Sequence, residues 1–199
     1  MTEDQIVRKI AVIFVTDVVS FSTLMEKNEN STLISLRACR QIMNQLFKKY
    51  DARIFNTAGD SVLAEFQSAV AAVVCATEFQ NMIRERNLSV SEDLQMQFRI
   101  GLNVGDVIVE GTNLYGEGVN NAARLEVLSQ PGGVSLSKAI YDFANKKVEF
   151  KFTDLGTQKI KNTVLHAYDV IIEGLEPRAS GSSIDSSEIT ESKPPTIAV

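Results

Sequence analysis

The segment KIAVIFVT, Lys9 to Thr16, is a continuous apolar run rich in Ile and Val. A strand with one wet face alternates apolar and polar residues, so an unbroken run is expected in a central strand covered on both faces. The rest of the chain must therefore supply flanking strands and cover. The run ends at Asp17. A carboxylate at the end of a buried strand is costly to desolvate unless a cation compensates it, and a metal ion is one such cation. The other reading is a helix N-cap for the following VVSFSTLMEKN segment, and on Asp17 alone both readings stand.

Further along, Asn30 and Ser31 offer a cap for a helix with the apolar stripe Leu36, Cys39, Met43, Leu46, Phe47 and Tyr50, spaced by threes and fours. The segment RIFNTAGDSVLAEF (Arg53 to Phe66) reads as two short strands around Ala58-Gly59, with a second acid, Asp60, at a strand start. Taken singly, Asp60 is an ordinary turn acid. Ser68 to Asn87 carries the stripe Val73, Ala76, Phe79 and Ile83 of a second packed helix. A polar loop through Asp93 leads to a long strand pattern, Gln95 to Val109, in which Gly101 and Gly105 mark bulges or close backbone approach.

The stretch RIGLNVGDVIVEGTNLYGEGVNNAARLEVL (Arg99 to Leu128) runs from that strand through a glycine-punctuated loop into an alanine-rich helix. Asn120 and Arg124 are four apart, so they share a helix face. An amide and a guanidinium projecting together suit a phosphate or another anion. Pro131-Gly132-Gly133 then stops the helix, Val134 to Ser137 reads as a short strand, and a helix starts at Lys138. Phe150 to Phe152 and Leu155 to Ile172 supply the last strands, with Lys159 and Lys161 near the turn. An edge-strand lysine in water is the plain reading of Lys161.

Composition bounds what such a chain does. Its 199 residues are 44% hydrophobic and 23% charged with net charge -5, which fits one globular domain plus extra length. The acidic balance and the absence of clustered Lys and Arg argue against a nucleic-acid partner. Cys39 and Cys75 fall in apolar helical patterns and read as buried thiols in a reducing, cytoplasmic setting. No secretory leader is evident, and no stretch approaches the ~20 apolar residues of a membrane span, so no membrane contact is expected. After Gly174 the composition shifts to Ser, Pro, Glu and Thr, which places a domain at residues 1–174 and a disordered linker or tail at 175–199. The closing KPPTIAV hints at the first strand of a further domain.

Four motifs in order, FVTDVVSFS (Phe14 to Ser22), AGDSVLAEF (Ala58 to Phe66), FRIGLNVGDVIVEG (Phe98 to Gly111) and LYGEGVNNAARLE (Leu114 to Glu126), make the chain resemble the class III nucleotidyl cyclase catalytic domain over Arg8 to Ile172. The resemblance implies an α/β sandwich with a ferredoxin-like βαββαβ core, a mainly antiparallel sheet, helices on one face, and additional C-terminal strands and helix. It implies that Asp17 and Asp60 hold two divalent metal ions, Mg or Mn, ~3.5–4 Å apart, one activating the ribose 3′-hydroxyl and the other bridging the triphosphate. Asn120 is then the ribose-orienting amide and Arg124 the guanidinium that stabilises the α-phosphate, while Lys161 binds the triphosphate. A nucleoside triphosphate, ATP before others by family frequency, would give the 3′,5′-cyclic monophosphate and pyrophosphate. The family's site lies between two protomers, so a symmetric homodimer is implied.

Departures concern the base. Asn56 stands where adenylate cyclases often have lysine, and Asn113 where they often have Asp or Thr; the Glu and Cys usual in guanylate cyclases are absent too. Asparagine both donates and accepts, so this pair suits adenine, guanine or a pyrimidine edge. Asp106 stands where some members have a phosphate-binding arginine. The alternatives carried forward are a cyclase acting on GTP or a pyrimidine nucleotide, and a catalytically silent domain serving dimerisation or nucleotide sensing.

Overall fold

The computed structural model describes residues 6–181. Strand β1 (Val7–Val18) contains the KIAVIFVT run and lies third in a sheet of order β2-β3-β1-β4-β6-β8-β7. Its neighbours are β3 (Ser61–Phe66) and β4 (Phe98–Glu110), both antiparallel to it. From Ala11 to Thr16 β1 is covered on both faces as expected, with Ile13 and Phe14 fully buried, whereas Lys9 and Ile10 at the start of the run are exposed. β2 (Arg53–Ala58) pairs with β3 through a turn at Gly59, whose φ of 61° lies in the left-handed region that glycine adopts freely. With the helices α2 (Glu29–Lys49) and α3 (Ala69–Ser89), these strands complete the ferredoxin-like βαββαβ order. The added elements are β5 (Asn113–Tyr115), α4 (Glu117–Leu128), β6 (Val134–Ser137), α5 (Lys138–Ala144), β7 (Phe152–Ile160) and β8 (Thr163–Val170). One pairing in the sheet is parallel, β4 with β6.

Alternation along β1 sorts the core into two layers. Val12, Phe14 and Val18 face α2, α3 and α5, where Phe14, Phe47 and Phe66 meet at ring centroid distances of 5.2–5.8 Å. A buried phenylalanine of this kind stabilises by ~2–3 kcal/mol through area alone. Ala11, Ile13 and Val15 face the other way, toward Val119 and Ala122 of α4. The helices of the ferredoxin-like core share one face as expected, and α4 covers the opposite one. Cys39 and Cys75 are buried free thiols.

Local details differ from the sequence reading. The long helix is capped by Asn28, whose side chain accepts from the Ser31 amide at 3.0 Å, and not by Asn30 or Ser31, which lie inside α2. A short helix, α1 (Phe21–Lys27), precedes it with Ser20 at its N-cap, so Asp17 is a strand residue and caps nothing. The glycine loop holds the short strand β5, antiparallel to the end of β4. Residues 175–181, grouped with the tail by composition, are tied to the domain: Arg178 ion-pairs with Asp169 at 2.6 Å. The closing KPPTIAV lies outside the described residues.

α4 is laid almost directly on β4. A Cβ on Gly101 would fall 2.1 Å from the Ala122 carbonyl oxygen and 2.2 Å from the Glu126 amide nitrogen, both backbone atoms that cannot rotate away. Gly101→Ala is therefore expected to cost at least ~3 kcal/mol, read as a midpoint shift in urea denaturation, because the whole helix must lift.

Candidate active site

Asp17 and Asp60 meet at the ends of neighbouring strands. By the period of two, Asp17 follows Ala11, Ile13 and Val15 onto the α4 face. Its carboxylate accepts from the Ser61 hydroxyl at 2.8 Å. Asp60, in the β2–β3 turn, accepts from the Val18 amide at 3.2 Å. Burial, then a hydrogen bond to the Asp17 carboxyl and the charge of that carboxyl, push Asp60 up to about 7. A like charge this close disfavours the ionised form, so Asp60 keeps its proton more tightly than an ordinary carboxyl does.

Two further charges line this corner, and neither stood out in sequence. Glu126, in the last turn and a half of α4, is 6% exposed; burial, then the charge of Asp17, push it up to about 8, against the opposing pull of Arg99. Arg99 is the cross-strand partner of Asp17, and its Nε is buried without a hydrogen-bond partner among the described residues. Arg99 is the second residue of one quoted motif and Glu126 the last of another, but only folding puts them beside Asp17.

The donor set suits a divalent cation of the magnesium type. Among the described residues no cluster of three or more His, Cys, Asp or Glu forms a closed cage. Magnesium is commonly held by one or two carboxylates, with phosphate and water completing its shell, and Asp17 with Asp60 offer that arrangement. The orphaned Nε of Arg99 marks the same corner as built for charge.

The remaining candidates stand elsewhere. On α4, Asn120 is exposed and Arg124 half-buried, its Nη1 donating to Asn121 Oδ1 at 2.8 Å. Asn121 thus orients the guanidinium, an i, i+3 partner that the four-residue spacing did not single out. No hydrogen bond or ion pair joins Asn120 or Arg124 to Asp17 or Asp60 among the described residues. Asn56 on β2 and Asn113 on β5 belong to adjoining elements, linked by Arg53 Nη1 donating to the Thr112 carbonyl at 2.6 Å. Asp106 is engaged with Arg8 at 2.5 Å. Lys161 occupies the β7–β8 turn in the left-handed region, φ 54°, a strained place for a lysine. β7 is the sheet edge, four strand spacings from β1, which puts Lys161 roughly 19 Å across the sheet from Asp17.

The family described as adenylate and guanylate cyclase catalytic domain matches residues 2–172. This chain belongs to that family. It is 39% identical over 163 residues to the putative adenylate cyclase 3 of Rhizobium meliloti, covering 81% of this chain and 28% of that relative's length. The solved adenylate/guanylate cyclase/hydrolase from Silicibacter pomeroyi superposes with a TM-score of 0.78 at 32% identity, over 85% of this chain and all of that one. The guanylate cyclase domain of RhGC from Catenaria anguillulae, solved with GTP, shares the fold with a TM-score of 0.71 at 22% identity, over 83% and 98%. No helix among the described residues is long and apolar enough to cross a membrane.

An acid that keeps its proton more tightly when folded stabilises the fold below the ordinary carboxylate range and loses that contribution as pH rises toward its folded value. Metal-free protein should therefore lose stability from about pH 5 to pH 8, through Asp60 and Glu126. Asp60→Asn removes the repulsion: in thermal denaturation at pH 8 the metal-free variant should melt about 2–6 °C above the parent and show a shallower pH dependence.

Proposed function

We propose that this cyclase-family domain converts a nucleoside triphosphate, ATP first, to the 3′,5′-cyclic monophosphate and pyrophosphate at sites shared by two copies of the chain. The observation that carries this reading is the Asp17–Asp60 carboxyl pair, poised at the sheet end with Asp60 raised to about 7. In the reaction the ribose 3′-oxygen bonds to the α-phosphorus, the bond from that phosphorus to the β-phosphate oxygen breaks with its electron pair, and the hydroxyl proton ends on water or pyrophosphate. Divalent ions held by Asp17 and Asp60 would supply Lewis-acid charge stabilisation and ease deprotonation of the 3′-hydroxyl.

The chain's own groups do the positioning and the remaining electrostatics. Arg124, oriented by Asn121, stabilises charge on the α-phosphate, Asn120 orients the ribose, and Lys161 holds the triphosphate end. Asn56 and Asn113, on adjoining β2 and β5, meet the base edge, each able to donate and accept. The width of sheet between Asp17 and Lys161 supports a homodimer, in which one protomer gives the acids and the other gives Asn120, Arg124 and Lys161. A cytoplasmic setting, which supplies nucleoside triphosphate and keeps Cys39 and Cys75 reduced, belongs to the same proposal.

Product identification after incubation with each of the four nucleotides and Mn is the primary test. Cyclic AMP and pyrophosphate are expected, with Asp17→Ala lowering turnover at least ~1,000-fold. GTP or a pyrimidine nucleotide as the sole substrate would reassign the base, and no product from a confirmed dimer would favour a silent nucleotide-sensing domain. A second test addresses the shared site. Asp17→Ala and Arg124→Ala proteins, each inactive alone, should on mixing recover about a quarter of parental turnover, because about half the dimers are mixed and each of those rebuilds one intact site.

A further inference from the structure

Beyond β8 the chain crosses back over the domain, and Arg178 fastens it there. The guanidinium grips Asp169 with two hydrogen bonds, Nε to Oδ2 at 2.6 Å and Nη2 to Oδ1 at 2.7 Å. Nη2 also reaches the Ser135 hydroxyl at 3.2 Å, and that hydroxyl donates to Asp169 Oδ1 at 2.6 Å. Ser135 and Asp169 are cross-strand partners on β6 and β8. The remaining donor, Nη1, bonds the carbonyl of Leu128 at 2.8 Å. Leu128 is the last residue of α4, one turn beyond Arg124. The side chains of Arg178 and Asp169 are only 15% and 7% exposed, so the pair is little screened by water.

A helix ends with carbonyls that have no partner within it, and a cation at that end also complements the helix dipole. Arg178 therefore joins three things that sequence keeps far apart: the paired strands β6 and β8, the last turn of α4, and the segment leaving the domain. The same segment touches the α4 end again, where Gln130 Nε2 donates to the Glu176 carbonyl at 3.2 Å. It continues along β7, with the Ser180 hydroxyl donating to the Asp154 carbonyl at 2.9 Å.

We propose that Arg178 is a positioning residue for α4: by holding the Leu128 carbonyl against the β6–β8 pair it fixes the helix that presents Asn120 and Arg124. The segment 175–181 is thereby a working part of the domain, and releasing it loosens α4. The effect on turnover rests on the cyclase reading; the effect on the helix does not.

Two measurements on the full chain test this. Hydrogen exchange in Arg178→Met should speed at least ~10-fold at the amides of residues 125–129 while α2 and α3 stay protected. In turnover assays kcat should fall about 10-fold with KM within about 2-fold, since Arg124 acts in the transition state and the substrate contacts remain. Arg178→Lys keeps the charge beside Asp169 but cannot bond it bidentately and reach Leu128 as well, so it should show the same exchange change with global stability near the parent's. If Arg178→Met fails to fold, Arg178→Lys decides. Unchanged exchange at residues 125–129 in a folded variant overturns the proposal, as does unchanged kcat in an active protein. A parent without turnover but with local loosening in the variants would leave α4 positioning intact and count against the cyclase reading instead.

Discussion

The backbone contact between α4 and β4 at Gly101 is the constraint on which the candidate site depends. No Cβ separates the strand from the helix there, so α4 lies far closer to the sheet than an ordinary helix would. Closeness has two consequences. Glu126 is driven into the corner where Asp17 and Arg99 emerge. The opposite side of the helix, with Asn120 and Arg124, becomes a fixed platform. Each end of α4 is tied down separately, by Asn103 Nδ2 donating to the Gly118 carbonyl at 3.0 Å and by Arg178 at Leu128.

The electrostatics of the acidic corner make little sense as fold stabilisation. Asp17 and Asp60 lie together with Glu126 near them, Arg99 stands beside Asp17 and offsets Glu126, and burial holds Asp60 and Glu126 well above their ordinary range. Such a cluster weakens the protein near neutral pH, and a divalent cation would relieve it. Strain is tolerated at Lys161 too, where a left-handed lysine tips the β7–β8 turn. Sites that lower stability yet stand in a sound fold are where function is expected.

How much of this was legible depends on the range of the interaction. The central strand, the helices α2 and α3 and the turn before Asp60 follow from patterns of two or of three and four residues, because burial along one element is a local periodicity. The N-cap of α2 was misplaced, since several polar residues in NENS satisfy the rule and backbone geometry chooses Asn28. Asp17 and Asp60, each open to an ordinary reading when taken singly, became interpretable as a pair only through the family resemblance that the four motifs carry.

The sequence by itself determined the central strand, the longer helices and the residue types fit for phosphate and cation; the ferredoxin-like order came with the family resemblance, and the short elements α1 and β5 were not settled. Tertiary structure alone decided which of those residues share a corner. Arg99 joins Asp17 through the register of β1 on β4, and Glu126 joins them because α4 presses on β4 at Gly101, a glycine that the sequence marks for close backbone approach without saying which element approaches. It likewise decided that Lys161 lies a sheet's width from Asp17, because strand order is set by crossovers rather than by chain position. Arg178, in a stretch whose composition reads as tail, is part of the domain because one buried carboxylate, Asp169, needs its guanidinium.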